Sequence, residues 1–161
     1  MKKYIYKLFA IGTLLFLSAS CTNDAPLTSL KAVSFSGDLV ASPSTIVLTT
    51  TTATQPVVAF SWPAVVFPIQ APVTYALEFD IPSDVSGSTA WGKAVRVEVG
   101  EDVLSKSLLG DDLNKMAIKL GLPVDVASKI VVRVESYLDR KIYSEPITIT
   151  VTPFAKPVVF G

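Results

Sequence analysis

Apolar and polar residues alternate through most of this chain. The alternation is clearest in PVVAFSW, a proline-rich interruption, and then VTYALEFDI. Val58, Phe60 and Trp62 take every second position of the first run, and Val73, Tyr75, Leu77, Phe79 and Ile81 those of the second. Successive side chains of a strand point to opposite faces, so each set forms one face, with Thr74, Glu78 and Asp80 on the other. The connection contains Pro63, Pro68 and Pro72, and two runs so joined are expected to be neighbouring strands of one antiparallel sheet. Trp62 and the aromatics of the second run supply the bulk of a sandwich core.

The same period recurs on both sides of this stretch. Val33 and Phe35 alternate with Ala32 and Ser34 up to Gly37-Asp38. The β-branched run TIVLTTTT at 45–52 predicts a half-buried strand, with Ile46 and Leu48 inward and its threonines forming a solvated edge. Residues 82–92 are punctuated by Pro82, Gly87 and Gly92 and predict a loop. Val95, Val97 and Val99 then alternate with Arg96 and Glu98, residues 100–102 turn, and 103–109 return as another strand. In 129–138, Ile130, Val132 and Val134 face inward against Arg133 and Glu135. Asp139-Arg140-Lys141 makes a hairpin turn, and Ile147, Ile149 and Val151 alternate with threonines in a closing strand.

One segment changes period. In DDLNKMAIKLG, Leu113, Met116, Ala117 and Leu120 recur at spacings of three and four, which predicts a helix over 111–120. Asp111 and Asp112 suit its N-terminus, Gly121 its C-terminal cap, and Pro123 stops it. Seven or eight short strands with one crossover helix predict an all-β, two-sheet antiparallel sandwich. Trp62, Tyr75, Leu77, Phe79, Val97, Val132, Val134 and Ile149 are its expected core. The helix and the uneven loops suit a closed barrel less well.

At 161 residues the chain has room for one domain with a sizeable core. Lys2, Lys3 and Lys7 precede an apolar run at 8–17, the charged and apolar regions of a signal peptide, too short to cross a bilayer. The only cysteine, Cys21, follows Ser18, Ala19 and Ser20. This resembles a bacterial lipobox, whose cysteine is acylated and becomes the mature N-terminus. The leucine usual three places before the cysteine stands here at Leu17, and Ser18 takes its place. Two or three acyl chains, at about 0.8 kcal/mol per buried methylene, anchor a domain firmly. The expected organisation is a lipoprotein signal peptide over 1–20, a lipidated tether over 21–30, the sandwich over 31–154 and a tail over 155–161.

Removal of residues 1–20 leaves 11 basic and 14 acidic side chains, a net charge of −3. With no basic run, nucleic-acid binding is excluded. There is no histidine, so Ser-His-Asp and Cys-His devices and the usual zinc sites cannot be built. Asp111-Asp112 and Glu101-Asp102 sit side by side in a helix start and a turn, whereas glycosidase carboxyls face each other across about 5–10 Å. No glycine-rich phosphate loop is present. The expectation is a protein that is not an enzyme and uses no metal or cofactor. Sugar binding needs exposed aromatic faces beside hydrogen-bonding groups. Trp62 is assigned to the core, which leaves Trp91 in STAWGK, and Tyr137 and Tyr143 flanking the turn, as candidate carbohydrate-stacking residues. For Trp91 the competing reading is a plug over the end of the sandwich.

Several stretches together resemble the N-terminal domain of the SusE family, outer-membrane lipoproteins of starch-utilisation systems and related glycan loci. They are FSWPAVVFPIQAPVTYALEFD, DDLNKMAIKLGL and VVRVESYLDRKIYSEPITITVTP. Within them the family pattern falls on Trp62, Phe79-Asp80, Leu113-Asn114, Leu120-Gly121, Arg133-Val134, Tyr143-Ser144 and Val151-Thr152-Pro153. The resemblance implies an immunoglobulin-like or fibronectin-III-like sandwich, anchored by lipid to the outer membrane and facing outward. Members exported to the surface often carry acidic residues after the cysteine, and Asp24 stands there. Longer members carry glycan-binding modules after this domain, so a chain of this length is expected to lack them. The implied function is a non-catalytic spacer or interaction module in a starch or glycan uptake system, with components of the uptake complex as partners. Direct binding of a starch-type oligosaccharide is a second reading, and a general surface-structural or adhesion role a third. The apolar loop around Phe67 is the expected partner contact.

Overall fold

The computed structural model describes residues 32–156. The strands are β1 (Val40–Ser42), β2 (Thr45–Val47), β3 (Pro56–Ser61), β4 (Thr74–Asp80), β5 (Val95–Glu101), β6 (Ser105–Leu109), β7 (Ser128–Tyr137), β8 (Lys141–Tyr143) and β9 (Ile147–Thr152), of which the short β1 and β8 are not expected from the alternation. The helix, α1, spans Gly110–Lys119. One sheet has the order β1-β3-β6; the other runs β2-β9-β7-β4-β5, with β8 paired to β7. Pairing is antiparallel except between β2 and β9, which are parallel. The expected signal peptide, the lipidated Cys21, the tether over 21–30 and the end of the tail lie outside the described residues.

The two organising runs are not neighbours in one sheet. β3 pairs with β1 and β6, whereas β4 pairs with β5 and β7. A period of two assigns faces, not partners, and the prolines of residues 62–73 deny the chain a tight hairpin. The connection instead crosses the end of the sandwich, where the Val65 N–H donates to the Tyr75 hydroxyl at 2.9 Å. The inward faces of the two runs therefore meet across the core. Phe60 and Phe79 pack edge to face at 5.6 Å, and Trp62 lies 6.0 Å from Tyr75. Such pairs add about 0.5–1.5 kcal/mol each beyond burial.

The segment after β5 also changes sheets. Asp102 takes a left-handed conformation at φ 54° and is bonded both ways to Val73, so that β6 pairs with β3 and not with β5. β5 is thus an edge strand, and Val97 is only partly buried, short of its expected place in the core. The other seven expected core residues are buried. Val33 and Phe35 pack against the core without joining a sheet.

Only the first half of the threonine run is a strand. Thr49 caps a 3₁₀ turn at Thr50–Thr52 through a reciprocal capping box, because threonine hydroxyls bond nearby backbone and compete with sheet formation. This turn leads into the cap of α1. The Gly110 and Asp111 N–H groups donate to the Gln55 and Ala53 carbonyls at 3.0 and 2.8 Å, so a backbone loop does the work of a capping side chain. A Cβ at Gly110 would fall on the Thr52 carbonyl oxygen. Gly110→Ala is therefore expected to lower stability by about 1–3 kcal/mol, read from its urea midpoint. At the other end Gly121, at φ 82°, closes a Schellman motif through Gly121 N–H to Ile118 and Leu122 N–H to Ala117, both 3.0 Å.

Entry and exit of the chain lie at opposite ends. Gly37 enters against Pro63, at the end closed by loops 62–73 and 102–104. β9 runs away from that end, and Phe154 is held beside α1 by the buried Asn114, which donates to its carbonyl at 3.0 Å and accepts from its N–H at 2.9 Å.

Candidate functional site

Register decides what gathers on the outer face of the larger sheet. Glu78 of β4 stands opposite Arg96 on one side and Arg133 on the other; Ala76 stands between Glu98 and Glu135, and Glu135 opposite Tyr143. Ala76 is too short to reach its neighbours, so longer side chains close over it. The Arg96 guanidinium bonds Glu135 at 3.0 Å and Glu98 at 3.1 Å. Lys141 adds a 2.8 Å ion pair to the second Glu135 oxygen, and the Tyr143 hydroxyl donates to that same oxygen at 3.3 Å. Arg133 Nε donates to Glu78 at 2.7 Å.

The Arg133 guanidinium also lies between two rings, 4.1 Å from Trp91 and 3.8 Å from Tyr143. Each contact contributes about 0.5–2 kcal/mol, more as water is excluded. The loop after β4 delivers Trp91: a 3₁₀ turn at Pro82–Asp84 presents the Asp84 carbonyl, which accepts the Trp91 N–H at 2.8 Å. Trp91 itself is left-handed at φ 61°, a conformation costing about 1–2 kcal/mol for a side chain with a Cβ. That backbone bond and the stack on Arg133 hold it there.

Of the three candidate stacking residues, the fold brings Trp91 and Tyr143 together and leaves Tyr137 apart, exposed at the end of β7 opposite Lys141. Arg133, the centre of the cluster, was placed by sequence only as an outward residue. The signal that could have found it is the opposite charge of Glu78 and Arg133 at outward positions, which matters once their strands are known to pair. Glu78 and Glu135, also read as outward, are buried, because the stems of Arg96, Lys141 and Arg133 and the two rings cover them.

Burial pushes the Glu135 carboxyl up, but hydrogen bonds from Lys141 and Arg96 outweigh it and hold the group below the usual glutamate range. Burial, with the negative charges of Glu135 and Glu78, raises the Tyr143 hydroxyl, so it stays protonated as a donor. A carboxyl depressed on folding stabilises the protein fully above its unfolded pKa of about 4.3, and that stability is lost as pH falls through the folded value. Glu135→Gln is expected to cost about 1–2 kcal/mol at pH 7, moderated because Arg96 and Lys141 regain water, and to flatten the fall in melting temperature below pH 4.5.

The loop around Phe67, the expected partner contact, turns part of its apolar surface inward. Val65 and Phe67 are buried and join the core, sealing the end of the sandwich. Of its large aliphatic residues, Val66 and Ile69 stay outside, 82 % and 56 % exposed.

A family model described as SusE outer membrane protein matches residues 24–135. The matched span includes Glu78, Trp91, Arg96, Arg133 and Glu135 and ends before Tyr143. No curated protein matches the chain.

Proposed function

Because this chain belongs to the family of SusE outer membrane proteins, we propose that it is a non-catalytic spacer and interaction module of a starch-uptake assembly, held at the membrane by lipid on Cys21. As a family member it is an outer-membrane protein, exposed at the cell surface and serving starch utilisation. The finer reading is carried by one observation: Trp91 and Tyr143, the aromatic pair best placed to stack on a sugar, each turn a ring face to the protein's own Arg133. That cation is already paired to Glu78, so a pyranose stacking on those faces would have to displace a charged, hydrogen-bonded group from between the rings. The placing of Gly37 at one end of the sandwich and Phe154 at the other supports a spacer. The partners are components of the uptake complex, with no nucleic acid among them.

Affinity electrophoresis through gels containing starch tests this reading. The protein is expected to migrate as it does without polysaccharide; retardation abolished by Trp91→Ala would establish direct starch binding in its place. For the anchor, fatty-acid labelling in cells is expected to mark the wild type and not Cys21→Ala.

A further inference from the structure

Two loops at the entry end of the sandwich turn aliphatic side chains to solvent. Val66 and Ile69 stand on residues 62–73, and Val103 and Leu104, 41 % and 36 % exposed, on the turn between β5 and β6. The loops are stitched together: the Trp62 N–H donates to the Leu104 carbonyl at 3.1 Å, and Asp102 and Val73 exchange bonds of 2.8 and 2.9 Å. Single exposed aliphatics are ordinary, but four on two joined loops at one end make a patch. The patch is also stiff. Pro63, Pro68 and Pro72 restrict the longer loop, and the burial of Val65 and Phe67 on either side fixes Val66 outward. A preorganised surface loses little conformational entropy when it is covered.

The exposed charges on the two loops and at Asp38 have one sign, and the half-buried Lys106 lies further along β6, opposite Phe60. Asp38, Glu101 and Asp102 are exposed there, and none is in an ion pair among the described residues. The cations of the adjoining 139–141 turn are already engaged, Arg140 with Asp139 and Lys141 with Glu135. An anionic lipid surface would be repelled by these carboxylates, and a second copy of this chain would present the same acidic rim.

We propose that this end is a docking knob for a protein of the outer membrane whose surface offers an aliphatic pocket rimmed by lysine or arginine. The proposal rests on the interaction-module reading and identifies the face and the partner's chemistry. Apolar contact at the centre supplies the affinity, and the acidic rim supplies steering and orientation.

Site-specific photo-cross-linking of the full chain in intact cells tests it, with p-benzoylphenylalanine replacing Val66 and, in separate strains, Tyr143 or Thr148. The expected result is one discrete adduct from position 66, whose cross-linked peptide maps to an aliphatic surface flanked by lysine or arginine. Ile69→Glu and the rim change Glu101→Lys should each reduce that adduct at least tenfold while leaving the melting temperature unchanged. Adducts to lipid alone, no discrete adduct at position 66, or an adduct indifferent to Ile69→Glu and Glu101→Lys would overturn the proposal. A discrete protein adduct at Tyr143 or Thr148 and not at position 66 would overturn this face while leaving the interaction-module reading intact. Retardation in starch gels with the position-66 adduct preserved would do the reverse.

Discussion

Trp62→Ala is expected to lower unfolding stability by about 3–5 kcal/mol, the cost of deleting a buried indole whose surroundings cannot collapse. Trp62 is 5 % exposed and lies where β3 gives way to the end-crossing connection, with Tyr75 of the opposite sheet against its ring. The surroundings are fixed from two sides: the Tyr75 hydroxyl accepts from the Val65 N–H, and the Trp62 N–H donates to the Leu104 carbonyl. Among the described residues the indole Nε1 has no hydrogen-bond partner, so the loss is one of packing and contact between rings. Against a usual domain stability of 5–15 kcal/mol, this change removes a large part of the whole. Urea titration reads it as a lowered midpoint at constant slope. Val66→Ala, nearby but outside the core, should change the midpoint little, and a loss under about 1 kcal/mol for Trp62→Ala would mean the two sheets do not meet there.

Arg133→Ala is expected to cost about 3 kcal/mol, for a reason that packing alone does not supply. The Arg133 and Glu78 side chains are 17 % and 11 % exposed, so removing the cation leaves a nearly buried carboxylate without its partner. Breaking such a pair from one side costs about 3–5 kcal/mol in fully buried cases, and the residual exposure here favours the lower end. Trp91 and Tyr143 lose the cation between them as well. A double-mutant cycle separates the contributions. Glu78→Gln combined with Arg133→Ala should recover part of the loss, because no buried charge is then stranded. If the double variant is no more stable than Arg133→Ala, the ion pair does not account for the loss.

The faces of the strands were legible in the sequence because alternation is a local property. Phe60, Leu77, Val132 and Ile149 are buried where the period puts them, and α1 carries its aspartates in the first turn and closes at Gly121, although backbone carbonyls cap its start. The partition into sheets was not legible. β3 and β4 follow one another through a loop that could in principle have been either a hairpin or a crossing, and the decision lay in how the three prolines and the Val65 contact seat it. Thr50–Thr52 carries the composition of a strand, yet its hydroxyls found their own backbone first. Val97 has the pattern of a core residue but sits on an edge, and edges are a consequence of strand order.

The aromatic cluster shows the same limit. Trp91 and Tyr143 could be singled out by type and by their place in loop and turn, but their meeting around Arg133 needed the registers of β4, β7 and β8. A residue that pairs with Glu78 while filling the space between two rings has no local signature. Its position gives each aromatic a cation partner within the protein.

The most direct measurement follows the Trp91 indole N–H by heteronuclear NMR while maltoheptaose is added to the protein at neutral pH. If the ring is committed to Arg133 and the domain serves as a spacer and docking module, the indole resonance stays in place through millimolar sugar. A saturable shift of that resonance, matched by shifts of the Arg133 Nε–H, would show sugar entering between the rings and would contradict the account.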